Sequence, residues 1–406
     1  MDLKKRLAQF DRLSGRQPTS TAVNECQPDL VERTATDLVQ TLGLHCVDTA
    51  WGPLWIRERA TRRPTLPAGD LARATGVFTG ELPGDLRADQ LLFLDTETTG
   101  LAGGTGSLAF LVGVGWWTSG QLKVRQYFLQ GPGHELPILC SLAELSGSFR
   151  ATVTFNGNGF DLPLLRTRAL LARCPDPFAQ LQSLDLLTAA RRLWGRRLVD
   201  CRQQTLEASV CGRPRGAGDI DGSQIPQAYF DYLQTGESGL LPRVLRHNRR
   251  DIGGMAYLLR AVLTRVHAMS RVSAAVRATV PWQDAWANGR ICEQQGEREL
   301  AAAWLDTALV RQSSASGGRA AADNCPEAFF RDAVRILKRS ASWSRVEQVI
   351  HSALHSHGDL PWLHREAAIL YEHRLGRLDA AWRHAQHCGE PQRLKRLSLK
   401  LARRQD

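Results

Sequence analysis

The 406-residue sequence lacks any apolar run long enough to cross a membrane. Its longest mostly apolar stretch, Leu108 to Trp117, has ten residues and includes two glycines, whereas a span takes roughly 20. No membrane partner is expected. The amino terminus, MDLKKRLAQFDRL, lacks the apolar centre of a secretory signal. Disulfide punctuation is also missing: the nine cysteines are irregularly spaced and none forms a CxxC pair. That pattern argues against a disulfide framework or a zinc ribbon and predicts a cytoplasmic protein. Lysine is scarce, and arginine supplies 46 of the 52 basic residues.

An apolar fraction of 43% excludes a wholly disordered chain, and the length predicts two to three domains. The net charge of +11 is uneven. Residues 1–90 hold 12 basic and 12 acidic residues, 91–260 hold 18 and 14, and 261–406 hold 22 and 15. A basic balance fits a polyanionic partner, and equally fits an arginine-rich composition with no such role.

Three regions are expected: an N-terminal accessory region (1–89), an α/β domain (90–265) and an α-helical domain (270–406) with a basic tail. In the first, helical rhythm appears at Leu3–Leu13 and Leu30–Leu42, Leu54–Arg57 reads as a short strand, and Arg62–Asp70 reads as a linker. In the second, strands are expected at 91–94, 107–117, 121–129 and 151–155, with helices at 135–145, 162–172 and 239–265. That order implies a mixed sheet with helices packed on it. The third shows only helical spacing. Gly289, Gly296, Ala301 and Ala308 follow the small-residue spacing of a tetratricopeptide hairpin, with a weaker echo at Gly376, Ala381 and Ala385; an ordinary helical bundle fits the same residues. Seven of the 11 histidines lie between His351 and His387. Their spacing spreads them over several helical faces, so no metal site is expected there.

Three motifs carry chemistry. Asp95 and Glu97 are two apart at the end of an apolar strand and so share a face. Paired buried carboxylates are costly without a cation between them, and hard divalent ions take oxygen ligands; a solvated turn is the bland alternative. Asn156-Gly157-Asn158-Gly159-Phe160-Asp161 follows a strand and precedes a helix, which places Asp161 at a helix start, where capping alone also suits it. His247 and Asp251 are four apart within a helix and point together; a solvated pair has the same spacing.

As a set the motifs are far more specific. LLFLDTETTGLAGGTG (91–106), TFNGNGFDLPLL (154–165), SLDLLTAARRLW (183–194) and RHNRRD (246–251) resemble the DnaQ-like (DEDD) exonucleases of the ribonuclease H fold, most closely the YprB-type branch. The resemblance covers roughly 90–262. It implies a mixed five-stranded ribonuclease H-like sheet flanked by helices; the all-α, TPR-like region expected after it rests on the small-residue spacing alone. It also implies that Asp95, Glu97, Asp161 and Asp251 ligate two divalent metal ions, Mg²⁺ or Mn²⁺. His247 becomes the candidate general base, and Thr98, Asn156, Phe160 and Asn248 become substrate contacts. Proofreading members commonly have four residues between the His and the Asp, and other members have Tyr with three between. This chain pairs His with the shorter spacing, which leaves the metal role of Asp251 intact and bears on the placing of His247. Asp185 either orients the site or caps a helix. The implied activity is 3′→5′ hydrolysis of DNA or RNA from a strand end. Two metals would hold the attacking water and the leaving oxygen of an in-line displacement. Arg166, Arg168, Arg191, Arg192, Arg196, Arg197, Arg249 and Arg250 are candidate phosphate contacts. The competing expectations are a protein-docking scaffold on the helical C-terminal domain, with the nuclease as its accessory, and an endonuclease of the same fold.

Overall fold

The computed structural model of the chain describes residues 38–62, 64, 66, 71–78, 82–100, 106–216, 218–270, 273–315 and 325–403. The expected helix at Leu3–Leu13 lies outside them. So do most of the expected helix at 30–42, most of the linker, residues 101–105 of the first motif and Arg404 of the basic tail. Among the described residues no helix is long and apolar enough to cross a membrane. The chain divides into two compact units: residues up to Arg191 with Asp200–His267, and Arg192–Val199 with the chain from Ala268 onward.

The first unit is built on a mixed sheet of seven strands, two more than expected. These are β1 (His45–Thr49), β2 (Gly52–Arg62), β3 (Leu91–Thr98), β4 (Ala109–Thr118), β5 (Gln121–Phe128), β6 (Ala151–Thr154) and β7 (Gln182–Asp185). Across the sheet they run β1-β2-β5-β4-β3-β6-β7. Pairing is antiparallel from β1 to β3 and parallel from β3 through β6 to β7. The β1–β2 hairpin widens the antiparallel edge. β2 continues well beyond the Leu54–Arg57 segment read from sequence, because its charged half is held by pairing rather than by apolar alternation. Glu58 bridges Lys123 (2.8 Å) and Arg125 of β5.

Helices α1 (Leu136–Ser146) and α2 (Asp161–Leu171) connect β5 to β6 and β6 to β7. Then come α3 (Leu186–Trp194), α4 (Gln203–Ser209), α5 (Ile225–Thr235) and the 29-residue α6 (Leu241–Met269). β3 reads as a near-continuous apolar run because it is central and covered on both faces. Leu92 and Leu94 enter a core with Phe110, Ile138, Leu142, Leu165 and Tyr229.

The second unit is helical throughout its described residues beyond Ala268: α7 (Ala274–Thr279), α8 (Trp282–Gln294), α9 (Arg298–Ala315), α10 (Glu327–Arg339), α11 (Trp343–His357), α12 (Pro361–His373), α13 (Leu378–Ala385) and α14 (Pro391–Ala402). The small residues read from sequence sit where α8 meets α9. A Cβ on Gly289 would lie 1.9 Å from Leu305 Cδ2 and 3.2 Å from the Ala301 carbonyl oxygen. Gly296 and Gly376, at φ 82° and 67°, turn the chain between paired helices.

The histidines are less dispersed than expected. His364 stacks obliquely on His384 and His387, with ring centroids 5.1 and 4.9 Å apart. Burial, then the neighbouring His364, His351, Arg383 and His387, lowers the pKa of His384 from 6.5 to about 4. The unfolded chain therefore binds more protons between those values, so stability falls as pH drops from about 6.5 towards about 4. Thermal melts over that range are expected to show a falling Tm, with a shallower fall in His384→Gln. Parallel curves for the two proteins would refute this account.

Candidate active site

The carboxyl ends of three parallel strands, β3, β6 and β7, carry the acidic motifs. This is the end of a parallel sheet where crossovers leave a crevice. Asp95 and Glu97 stand on one face of β3. The register with β4 shifts between Glu97 and Thr98, a bulge that ends regular pairing beside the acids. After β6, Asn156 takes a left-handed conformation (φ 67°) and the chain turns into α2, whose first residue is Asp161. Asp251 comes from α6, with His247 one helical turn before it; His247 Nε2 lies 3.3 Å from Asp251 Oδ2.

All four carboxyls are raised, with burial the leading cause, and Asp95 and Glu97 also feel the other acids. Burial, followed by the charges of Asp251, Glu97 and Asp161, pushes the Asp95 carboxyl well above the usual range. Burial, followed by Asp251, Asp161 and Asp219, does the same to Glu97. Burial raises Asp161 to about 6 against the opposing hydrogen bonds from Thr96. Burial also raises Asp251, against the opposing influence of the neighbouring His247 and Arg215 side chains. Glu97 and Asp161 are buried, while Asp95 and Asp251 keep partial exposure.

Each acid is held by a neighbour. Asp161 Oδ1 accepts from the Thr96 backbone N–H (3.0 Å) and hydroxyl (2.5 Å). Asn248 donates from Nδ2 to Asp95 Oδ2 (2.8 Å) and to the Asp95 carbonyl oxygen (3.2 Å). Its Oδ1 accepts from Gln126 Nε2 at 2.9 Å. Asn248 is fully buried, so in place of the expected substrate contact it positions Asp95. Two glycines of β4 make room for α6: a Cβ on Gly113 would lie 2.1 Å from Asn248 Oδ1, and one on Gly115 would lie 2.5 Å from Ile252 Cγ2. Gly113→Ala is accordingly expected to cost about 1–3 kcal/mol through overpacking. It should also displace Asn248 from Asp95. Denaturant unfolding checks the first effect, and any metal-dependent hydrolysis the second.

Thr98 donates to the Gly100 carbonyl oxygen at 2.9 Å. The Asn156 backbone N–H donates to Asp185 Oδ1 (2.9 Å), which also accepts from Leu187 N–H (2.9 Å) at the start of α3. Asp185 thus ties the Asn156 turn to the first turn of α3. Phe160, half-buried, immediately precedes Asp161.

Three charged residues escaped the sequence reading: Glu207, Arg215 and Asp219. Arg215 donates to both carboxylate oxygens of Glu207 (2.7 and 2.8 Å), to Asp219 (3.2 Å) and to Asp251 Oδ1. Asp219 Oδ1 lies 2.9 Å from His247 Nδ1. Arg215 and Asp219 belong to a Pro/Gly-rich stretch, RPRGAGDIDG, whose sequence carries no periodic signal. Gly254 of α6 leaves the space that Glu207 fills, since a Cβ there would lie 1.9 Å from Glu207 Oε1.

Four of the eight candidate phosphate-contacting arginines are engaged elsewhere. Arg166 pairs with Asp176 (2.8 Å), Arg168 with Glu135 and Arg197 with Asp284 (2.9 Å). Arg196 lies over the Trp286 ring at 4.4 Å.

The donor set suits a hard divalent cation: four carboxylates, held in part by hydrogen bonds and pushed towards protonation chiefly by burial. Their placement does not close on one point. Among the described residues no three acidic, histidine or cysteine side chains are gathered to hold a metal as they stand, and Arg215 holds one oxygen of Asp251.

Residues 92–263 match the RNase_H superfamily, by the RNase_H_2 family model. The uncharacterized protein YprB of Bacillus subtilis (strain 168) is 34% identical over 186 residues, which is 44% of this chain and 44% of that protein. The chain thus matches less than half the length of this curated relative.

Proposed function

We propose that the RNase H-like domain at 92–263 is a metal-dependent nuclease of the DnaQ-like (DEDD) type that removes nucleotides 3′→5′ from the end of a DNA or RNA strand. The observation that supports this reading is that Asp95 and Glu97, raised chiefly by burial, also feel the charges of Asp161 and Asp251, so that acids from three separate stretches of chain come within reach of one another. Those four residues would hold two Mg²⁺ or Mn²⁺ ions. When bound, such ions supply a nucleophile at neutral pH and stabilise charge on the phosphate.

The chain's own residues prepare the rest. Asn248 and Thr96 hold Asp95 and Asp161 in fixed rotamers, which limits reorganisation during reaction. With Asp219 accepting from Nδ1–H, His247 keeps the Nε2 lone pair towards Asp251 and the site, the tautomer a general base requires. Arg215 holds Asp251 Oδ1 and would have to release or share it for Asp251 to serve as a metal ligand. We also read the C-terminal hairpins as TPR-like, a surface for a protein partner.

The test is end-labelled DNA and RNA incubated with Mg²⁺ or Mn²⁺, and with EDTA. Mononucleotides released first from the 3′ end in the metal samples alone are the expected result. Cleavage of a circular substrate would overturn the exonuclease reading in favour of an endonuclease. No hydrolysis of any linear substrate would overturn the nuclease reading itself.

A further inference from the structure

The strand register places one polar row across the sheet. Arg57 of β2 pairs with Gln126 of β5, Gln126 with Gly113 of β4, and Gly113 with Asp95 of β3. Cross-strand partners share a face, so Arg57, and Arg59 two residues on, face the side covered by α6. Three strand spacings of about 4.8 Å put Arg57 about 14 Å from Asp95. At 100° per residue, with Asn248 pointing at the sheet, His247 and Asp251 occupy one flank of α6. Arg249 occupies the other, and Arg246 stands on the exposed crest between.

Arg57, Arg59, Arg246 and Arg249 therefore collect where α6 meets β2. None forms an ion pair with a carboxylate among the described residues. Glu58, the nearest acid in sequence, belongs to the opposite face and is taken by Lys123 and Arg125. Burial, then Arg59, Arg249 and Arg246, lowers the pKa of Arg57 to about 10. Arg249 is lowered by burial and by Arg59, Arg250 and Arg246. Arg57 Nε is buried with no hydrogen-bond partner. A half-buried guanidinium with an orphaned donor, crowded by like charges, costs stability that an anion would restore. Guanidinium groups match phosphate in geometry as well as charge.

We propose that Arg57, Arg59, Arg246 and Arg249 form a binding site for the phosphates of a single nucleic-acid strand, across α6 from the carboxylate cluster. The choice of polymer rests on the nuclease reading. The strand passes over the crest of α6, with its reacting end at Asp95 and its backbone held at β2.

The test is fluorescence anisotropy of a labelled thymidine oligonucleotide of about 20 nucleotides, titrated against salt in EDTA so that no hydrolysis occurs. Each phosphate-contacting arginine contributes about 0.7 to the slope of log affinity against log salt for a single strand. Arg57→Gln with Arg59→Gln should lower the slope by about 1.4, and the quadruple variant by about 2.8. Lys123→Gln, on the opposite face of the same strand pair, should leave it unchanged. Melting temperatures of the arginine variants should hold or rise, because repulsion is relieved.

An unchanged slope in a folded quadruple variant overturns the site, as does an equal loss in Lys123→Gln. Should the quadruple variant not fold, Arg57→Gln with Arg59→Gln decides by the same criterion. A lowered slope without metal-dependent hydrolysis leaves the site standing and overturns the nuclease reading. Hydrolysis with an unchanged slope does the reverse.

Discussion

Asp95→Asn combined with Glu97→Gln is expected to abolish metal-dependent hydrolysis, by at least about 10³-fold, while making the metal-free protein more stable. The first effect follows from removing two of the four proposed oxygen ligands; loss of a single well-placed electrostatic group already costs about 10²–10³ in rate. The second follows from linkage. Both carboxyls have folded pKa values above their ordinary 4.5 or 3.8. Their contribution to stability is full below those ordinary values and is lost as pH rises through the folded ones. At neutral pH in EDTA the charged wild-type pair is therefore a burden, which the amides lift without changing shape. Tm should rise in the double variant, and added Mg²⁺ should raise Tm of the wild type but not of the variant. Undiminished hydrolysis would end the four-carboxylate account. An unchanged metal-free Tm would end the argument from repulsion.

Arg215→Ala is expected to cost about 3–5 kcal/mol, the usual penalty for stripping one partner from a buried ion pair. Side-chain exposure is 9% for Arg215 and 7% for Glu207, so neither reaches water without rearrangement. Removing the guanidinium leaves Glu207, Asp219 and Asp251 crowded together, with His247 and Arg250 the basic side chains paired to them among the described residues. A loss of that size lowers Tm by roughly 6–20 °C in a unit of this length. Arg215→Lys should recover little, because one ammonium cannot reproduce a fork that binds Glu207 through two nitrogens. Glu207→Gln in the Arg215→Ala background should recover more, since it removes one of the stranded charges. Chemical denaturation of the four proteins provides the check. If Arg215→Ala lay within about 1 kcal/mol of wild type, the cluster would be behaving as an exposed one.

Much of this arrangement was legible in the residues alone. The apolar run before Asp95, the glycine turn before Asp161 and the four-residue step from His247 to Asp251 each mark a local structure, and each of those structures formed close to its expected bounds. The β1–β2 hairpin was harder to read because its stability is cross-strand. Arg57, Glu58 and Arg59 have no apolar alternation, and only the partners on β5 and α6 reveal which face each takes. β7 is four residues long, QSLD, too short for periodicity to speak. Arg215 and Asp219 lie in a glycine-rich loop whose geometry is imposed by what it touches. Asn248 reads as a substrate contact from sequence alone, whereas its burial depends on Gly113 lying beneath it, 135 residues earlier in the chain. Sequence spacing reports what lies on one element; it is silent on what another element presses against it.

The reach of α6 back over β4 also bears on how the protein is made. Asp95, Glu97 and Asp161 are synthesised well before Leu241, and their strands can pair while the rest of the chain is still on the ribosome. Until α6 emerges, Gly113 and Gly115 leave a bare furrow in the sheet, and the amide that steadies Asp95 does not yet exist. Non-local contacts of this kind are slow to form. A nascent chain released short of Asp251 is thus a sheet with an open seam and three unbalanced acids.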